Sequence, residues 1–266
     1  MKIYYFGGMI DQLEIIKNHE FDGVLFTSGI HNPDLVKITN YLSKSEKIQS
    51  NCIRCGMTTK IIESSKNFKY MIAIRPYQIS PQYLTMLCNS IDEVSQDKIE
   101  VNLISGWTEE FEKEYGGIVG EINDLSSNIE KSNYLIKFLE VFSKMKVLNL
   151  PKIFVSTTNQ FTFSAAISHG YDIILPYSRY ITGEYNIDKP KTMISIAPLL
   201  REKHEEVGVD MKNVPLDCKI FTKKELTEFL NDLKEQNVKG VLLAPYPFQT
   251  ENDRILSFVK EYKDKN

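Results

Sequence analysis

Residues suited to holding a ligand follow two apolar segments in the first half of the chain. Arg75 and Pro76 follow the run YMIAI, while Asn102, Ser105 and Gly106 close the next run, IEVNLISG. A guanidinium binds anions through a planar fork of donors, and an amide offers both a donor and an acceptor. Glycine lets the backbone approach a ligand closely. Residues of these types at two strand ends predict a small-molecule site, although Arg75 could instead pair with a buried acid and Asn102 could cap a turn.

Three consecutive hydroxyl residues form a second candidate group. Ser156, Thr157 and Thr158 follow the apolar run KIFV and precede a predicted helix, QFTFSAAISHG. Hydroxyls and free N–H groups at a helix N-terminus can hold a phosphate, and the helix dipole assists them. The same residues are also common helix caps, so both interpretations stay open.

Two further residues have side chains suited to proton transfer or substrate contact. His31 follows the predicted second strand, and histidine titrates near neutrality, with an ordinary pKa of about 6.5. Tyr246 follows the last predicted strand and offers a hydroxyl. A surface histidine and a packed tyrosine are the structural alternatives.

The elements that must position these residues alternate between strand and helix about eight times along 266 residues, without a Gly/Pro/Ser-rich linker. This pattern favours a single (β/α)8 barrel spanning residues 1–266. A doubly wound open sheet is the main rival, but no GxGxxG motif follows the first strand. The segment 177–190 contains no helical pattern, so we expect shortened loops and a reduced sixth helix region.

Composition excludes several other classes of protein. The formal net charge is −3, with basic residues spread through the chain, which does not predict nucleic-acid binding. No apolar run approaches the ~20 residues of a membrane span, and no secretory signal is evident, so we expect a cytoplasmic protein without membrane contact. Cys52 and Cys55 form a CxxC motif without a second pair of ligands, so no metal site is predicted.

The sequence resembles the bacterial-luciferase-like flavin-dependent monooxygenases, nearest the alkanesulfonate monooxygenase branch. Arg75-Pro76-Tyr77, the segment ISPQYLTMLCNSIDEVSQDKI and the strand end from Asn102 to Trp107 carry the resemblance. The C-terminal segment, in which Tyr246 and Pro247 stand at the family's final turn, also carries it, and FDGVLFTSG and LPKIFVSTTNQFTFSAAISHGYDIIL are weaker matches.

The resemblance implies a TIM barrel that binds reduced FMN (FMNH2) at the carboxyl ends of its strands. It implies use of O2 to oxygenate a small organic substrate, sulfur-containing compounds included, with FMNH2 supplied by a separate flavin reductase. It also implies a homodimer. Asn102, Ser105 and Gly106 would face the flavin, and Ser156 to Thr158 would hold its phosphate. We assign His31, Arg75 and Tyr246 as the candidate catalytic residues.

The sequence also departs from that family. Asn32 stands where alkanesulfonate monooxygenases have Cys, Ser195 and Ala197 where they have Arg and His, and Trp107 where they have a second glycine. Sulfonate-specific chemistry therefore does not carry over. Two alternatives stay open, namely a catalytically weak flavin-binding or partner subunit and an F420-dependent oxidoreductase on the same barrel.

Overall fold

The structure is a computed structural model. It describes residues 1–6, 13–26, 68–76, 79–95, 98–104, 128–145, 150–183, 185–202, 218–245 and 248–265. Four of the predicted site residues, His31, Ser105, Gly106 and Tyr246, lie outside these ranges, as do Cys52 and Cys55.

Strands and helices alternate along the described ranges. The strands are β1 (Lys2–Phe6), β2 (Gly23–Phe26), β3 (Lys69–Ile74), β4 (Ile99–Ile104), β5 (Ile153–Ser156), β6 (Asp172–Pro176), β7 (Thr192–Leu200), β8 (Cys218–Phe221) and β9 (Gly240–Leu243). The helices are α1 (Leu13–Asn18), α2 (Pro81–Ser95), α3 (Asn128–Phe142), α4 (Gln160–Ser168), α5 (Tyr177–Thr182), α6 (Lys223–Glu235) and α7 (Phe248–Lys265), with a 3-10 turn at Lys189–Lys191.

The strands form one sheet in the order β6-β5-β4-β3-β2-β1-β9-β7-β8. An additional pairing of β6 with β7 closes eight of them into a ring, with β8 as a ninth strand outside it. This closed parallel barrel with alternating helices confirms the predicted (β/α)8 fold. The open doubly wound sheet is thereby excluded.

Strand β7 pairs with two strands at different levels along its length. Its first half, Met193–Ile196, pairs in parallel with β9, and its second half, Ala197–Leu200, pairs in parallel with β8. At nine residues β7 therefore continues past the level at which β9 ends.

Contacts within the chain define two compact units. The first comprises Met1–Leu25 and Ile174–Asn266, and the second comprises Phe26–Ile173. In the first unit, β1 pairs in parallel with both β2 and β9. In the second, β4 lies between β3 and β5, also in parallel. That the whole chain is one domain stays a prediction.

The eight strands of the ring are buried along nearly their whole length, as parallel strands covered by helices require. The residues of β2 and β9 are buried throughout, and Tyr70, Val101 and Phe154 are completely shielded from solvent. Helix α6 shows the matching amphipathic pattern, because it buries Leu226, Leu230 and Leu233 and exposes charged residues elsewhere.

In the sequence, Ser80 before Pro81 and the spacing of Thr222 and Glu225 predict two helix starts, and hydrogen bonds confirm both. Ser80 Oγ accepts the Tyr83 N–H at 3.1 Å, directly before Pro81 begins α2. Thr222 and Glu225 form a capping box at α6, in which each side chain accepts the other's backbone N–H. The cap fixes the N-terminus of that helix.

The prediction that segment 177–190 contains no helix was wrong. Residues Tyr177–Thr182 form the six-residue helix α5, which ends at Gly183 in the left-handed conformation, with φ of 65°. A helix this short has too few turns for a clear 3.6-residue repeat, which explains the missed signal. The expected reduction of the sixth helix region is nevertheless confirmed.

No helix among the described residues is both long and apolar enough to cross a membrane.

Candidate active site

The second unit places three of the predicted residues at the carboxyl ends of adjacent strands. Ala73 is paired with Asn102, and Asn102 is paired with Phe154, so these three residues share one level and one face of the sheet. Side chains alternate between faces along a strand. Arg75 and Ser156, each two residues further on, therefore lie on that same face, one step closer to the carboxyl rim.

This face is the interior face of the barrel. The opposite face carries aliphatic side chains such as Ile72, Val101 and Val155, all buried, as contact with the helix layer requires. The polar residues Glu100 and Asn102, which are 4% and 2% exposed, alternate with them. The sequence therefore places polar groups inside the barrel, where a polar ligand can bind.

Asn102 and Ser156 are directly connected. The Ser156 hydroxyl donates a hydrogen bond of 2.9 Å to Asn102 Oδ1. This bond fixes the plane of the buried amide and leaves its Nδ2 group without an acceptor among the described residues. The pair can thus offer a donor of defined direction to a ligand at the rim.

Thr157 has a different environment from the one expected of a phosphate ligand. It is 5% exposed, and its Oγ1 accepts the Asn159 N–H at 3.0 Å and lies 3.3 Å from the Asn159 carbonyl. This is a local turn that positions the start of α4. The Thr157 hydroxyl is therefore already engaged within the chain.

The cap of α4 is Asn159, which the sequence analysis did not single out. Its Oδ1 accepts the N–H groups of Phe161 at 2.9 Å and of Thr162 at 3.2 Å. Asparagine is among the best N-cap residues, and its position directly before QFTFSAAIS was the signal that could have identified it. Two of the N–H groups expected to bind phosphate are thus satisfied by this side chain.

Two other hydroxyl residues lie near the start of α4. Thr158 is exposed, between β5 and the helix. Thr162, in the first turn, is fully buried, and its Oγ1 has no hydrogen-bond partner among the described residues. A buried hydroxyl without a hydrogen-bond partner costs free energy unless a ligand or a water molecule forms a hydrogen bond with it.

Arg75 is buried at the end of β3, with 2% of its surface exposed. A buried guanidinium keeps its positive charge under all ordinary conditions. It brings a cation to the rim on which Ser156 lies.

Histidine, cysteine and acidic side chains do not gather into metal-binding groups of three or more within the ranges that the structure covers. Cys88, at the buried face of α2, is a free thiol, and burial raises its pKa to about 12. Its thiolate form is disfavoured. Cys88 is therefore a core residue.

The donor set at the ends of β3, β4 and β5 fits a flavin phosphate. It contains a guanidinium, an amide and hydroxyls, and the first turn of α4 adds Thr162 Oγ1, which has no hydrogen-bond partner within the described ranges. The isoalloxazine ring has a pyrimidine edge with carbonyl and N–H groups, which an asparagine amide complements. The phosphate is an anion that hydroxyls and a guanidinium bind. Glu100 lies two residues before Asn102 on the same face of β4, further from the carboxyl end of the strand.

Comparison with known proteins identifies relatives of the fold. The sequence matches no protein-family model and no curated protein. Among solved structures, the monooxygenase RslO1 from Streptomyces bottropensis is similar, with a TM-score of 0.59, 14% identity and coverage of 98% of each chain. The oxygenating constituent of 3,6-diketocamphane monooxygenase from the CAM plasmid of Pseudomonas putida, a type II Baeyer–Villiger monooxygenase in complex with FMN, has a TM-score of 0.56 and 10% identity, covering 98% of this chain and 96% of its own.

A third similar structure uses another cofactor. It is an F420-dependent secondary alcohol dehydrogenase in complex with an F420-acetone adduct, with a TM-score of 0.55 and 11% identity, covering 92% of this chain and 93% of its own. At these identities the comparisons establish the shared barrel fold.

Proposed function

We propose that this protein is a flavin-dependent monooxygenase that uses reduced FMN and O2 to oxygenate a small organic substrate. The observation that carries the proposal is the hydrogen bond from Ser156 to the buried Asn102, on the same sheet face as Arg75 at three adjacent strand ends. The similar folds of RslO1 and of the FMN-bound Baeyer–Villiger monooxygenase support it.

The described residues would have four different roles. Asn102, oriented by Ser156, would donate to the pyrimidine edge of the flavin. Thr158 and Thr162 would hold the phosphate, while Thr157 and Asn159 would shape the turn between them. Arg75 would supply a positive charge to the flavin phosphate or to an anionic substrate.

Reduced FMN would supply the two electrons that, with O2, put one oxygen atom into the substrate and release the other as water. Among the residues outside the described ranges, we propose that Ser105 and Gly106 approach the flavin. His31 would transfer protons, and Tyr246 would contact the substrate. A separate flavin reductase, a homodimer and a cytoplasmic location belong to the same proposal.

Binding of reduced FMN is the direct test. Anaerobic titration of the protein with reduced FMN, followed by flavin fluorescence, should give saturable binding. Asn102→Ala should weaken binding of FMN and riboflavin alike by about tenfold, since one hydrogen bond to the shared ring is lost. Thr158→Ala should weaken FMN more than riboflavin, because only FMN has the phosphate.

Matched controls are available elsewhere in the chain. Asn231→Ala and Thr227→Ala remove the same side chains from α6, where they bond to Tyr262 and to the Lys223 carbonyl. Neither should change flavin affinity. Absence of binding to either flavin form, or equal losses in the control variants, contradicts the proposal.

Catalytic competence needs a second measurement. When the reduced complex is mixed with O2, oxidation of the flavin at a rate different from that of free reduced FMN would support an oxygenase. Oxidation at the free rate would instead favour a weak flavin-binding subunit. The F420-dependent structure favours one further candidate, an F420-dependent oxidoreductase, which reduction of F420 by a panel of secondary alcohols would reveal.

A further inference from the structure

The first unit contains a cavity of about 830 Å³ at the end of β7, beside the first turns of α6 and α7. We name it the α6–α7 cavity. Its charged lining consists of four cations and two carboxylates, which are Arg201, Lys223, Lys224, Arg254, Glu202 and Asp253. Small-molecule sites typically measure ~300–1,000 Å³, so the cavity has the size of a nucleotide or sugar phosphate.

The guanidinium groups of Arg201 and Arg254 are held in place by hydrogen bonds to neighbouring groups of the chain. Arg201 Nη1 and Arg254 Nη1 donate to the same carbonyl, that of Leu200, at 2.7 and 3.0 Å. Both also contact Glu251 Oε1, at 2.7 and 3.4 Å. The carboxylate of Glu251 is fully buried and bonds to the Leu200 N–H at 3.0 Å through its other oxygen. The guanidinium groups are therefore fixed before any ligand arrives.

Arg254 has donors left for a ligand. The hydrogen bonds described for its side chain use Nη1 alone, whereas a guanidinium has five N–H donors on three nitrogens. Its side chain is 52% exposed and lines the cavity. The fork formed by its Nε and Nη2 groups can bind a phosphate through two parallel hydrogen bonds.

Lys223 and Lys224 add two exposed ammonium groups to the cavity lining. Lys223 pairs with Glu261 at 2.7 Å and Lys224 with Glu228 at 3.7 Å, and both lysine side chains are exposed. Exposed pairs of this kind contribute little free energy, so the ammonium groups can turn to an anion at small cost. With Glu202, Asp253, Glu251, Glu261 and Glu228 all counted, five carboxylates lie beside the four cations, so anion binding depends on the guanidinium that is held in place with donors to spare.

We infer that the α6–α7 cavity binds the phosphate or pyrophosphate group of a small molecule, with Arg254 as its principal ligand. This site is separate in its residues from the flavin site proposed above and does not rest on it. Several classes of molecule carry a phosphate or pyrophosphate group. Inorganic pyrophosphate, AMP and ribose 5-phosphate therefore serve as probes, because comparing their affinities shows whether the site also recognises a base or a sugar.

Calorimetric titration of the full chain with pyrophosphate at low salt tests the inference. We expect saturable binding that Arg254→Ala weakens by about tenfold or more, the loss typical of charge-assisted hydrogen bonds. Arg254→Lys should also lose affinity, because an ammonium lacks the planar fork. Lys234→Ala is the matched control, since it removes an exposed cation from the last turn of α6 and is not part of the cavity lining.

The outcomes separate this site from the flavin proposal. Arg254→Ala should leave affinity for reduced FMN unchanged, and failure of flavin binding would not affect the pyrophosphate titration. Should Arg254→Ala lose its fold, Lys224→Ala is compared with Lys234→Ala, and weaker pyrophosphate binding in the former supports the site. Absence of saturable binding in the wild type, or equal affinity in the cavity and control variants, overturns it.

Discussion

Glu251 is the fully buried acid of the first turn of α7, and replacing it with Gln tests how strongly it ties that helix to β7. The carboxylate accepts the Leu200 N–H at 3.0 Å and Arg201 Nη1 at 2.7 Å. The Arg201 side chain is itself only 7% exposed. Glutamine has the same shape, but one oxygen becomes an NH2 donor and the negative charge is lost.

The expected cost follows from these contacts. Removing one partner of a buried ion pair costs about 3–5 kcal/mol, because the other charge stays buried without compensation. The NH2 group must also face either the Leu200 N–H or a guanidinium, so one donor loses its acceptor. This loss overlaps with the first and is not added to it. For a chain of this size we expect the melting temperature to fall by roughly 10 °C.

Urea unfolding followed by circular dichroism measures the change in the free energy of unfolding. Glu261→Gln is the control, since Glu261 lies on the same helix and bonds to Lys223 at the same 2.7 Å, but both side chains are about half exposed. That exposed pair should be worth about 0–1 kcal/mol. Equal losses in the two variants, or a loss below about 1 kcal/mol for Glu251→Gln, would refute the reasoning from burial.

Three further predictions concern stability. Asn159→Ala should cost about 1 kcal/mol in urea unfolding through loss of the α4 cap, and Asn159→Asp should recover most of it, so an unchanged Ala variant would contradict the cap assignment. Gly240→Ala places a Cβ 2.7 Å from the Lys2 carbonyl oxygen and should lower the melting temperature more than Gly183→Ala, where the Cβ meets open space and the cost is that of a positive φ alone. Burial raises the pKa of the Cys88 thiol from 9.0 to about 12, so the native state favours the protonated form, and the stability this contributes is lost as pH rises from about 9 through 12. The free energy of unfolding should therefore fall less steeply above pH 9 in Cys88→Ala than in the wild type, and parallel curves would argue against this linkage.

Local signals in the sequence were sufficient for the fold and for much of its detail. The alternation of apolar strands with amphipathic helices predicted the barrel, and the spacing of Thr222 and Glu225 predicted a capping box that the structure contains. Both signals depend on residues within a few positions of each other. The six-residue helix α5 was missed because it is too short to show a helical repeat.

The candidate site was only partly predictable, since its contacts depend on which strands become neighbours. Ser156 was identified as a phosphate ligand, but its hydroxyl bonds to Asn102, 54 residues earlier in the chain. The pairing of Arg201 with Glu251 likewise could not be predicted, because the two residues are 50 positions apart in the chain. In each case the residue type was informative, and the partner became known only with the strand register.

The pairing of β1 with β9 has a consequence for how the chain is made. Lys2–Tyr5 lie against Gly240–Leu243, so the first strand of the first unit finds this neighbour only after Gly240–Leu243 has been synthesised. The second unit, Phe26–Ile173, is continuous and complete well before that point. At ~5–20 residues per second, the interval for β1 is on the order of tens of seconds. We therefore expect the ribosome-bound chain to expose an unpaired apolar edge along β1, which makes this nascent strand a site for chaperone contact.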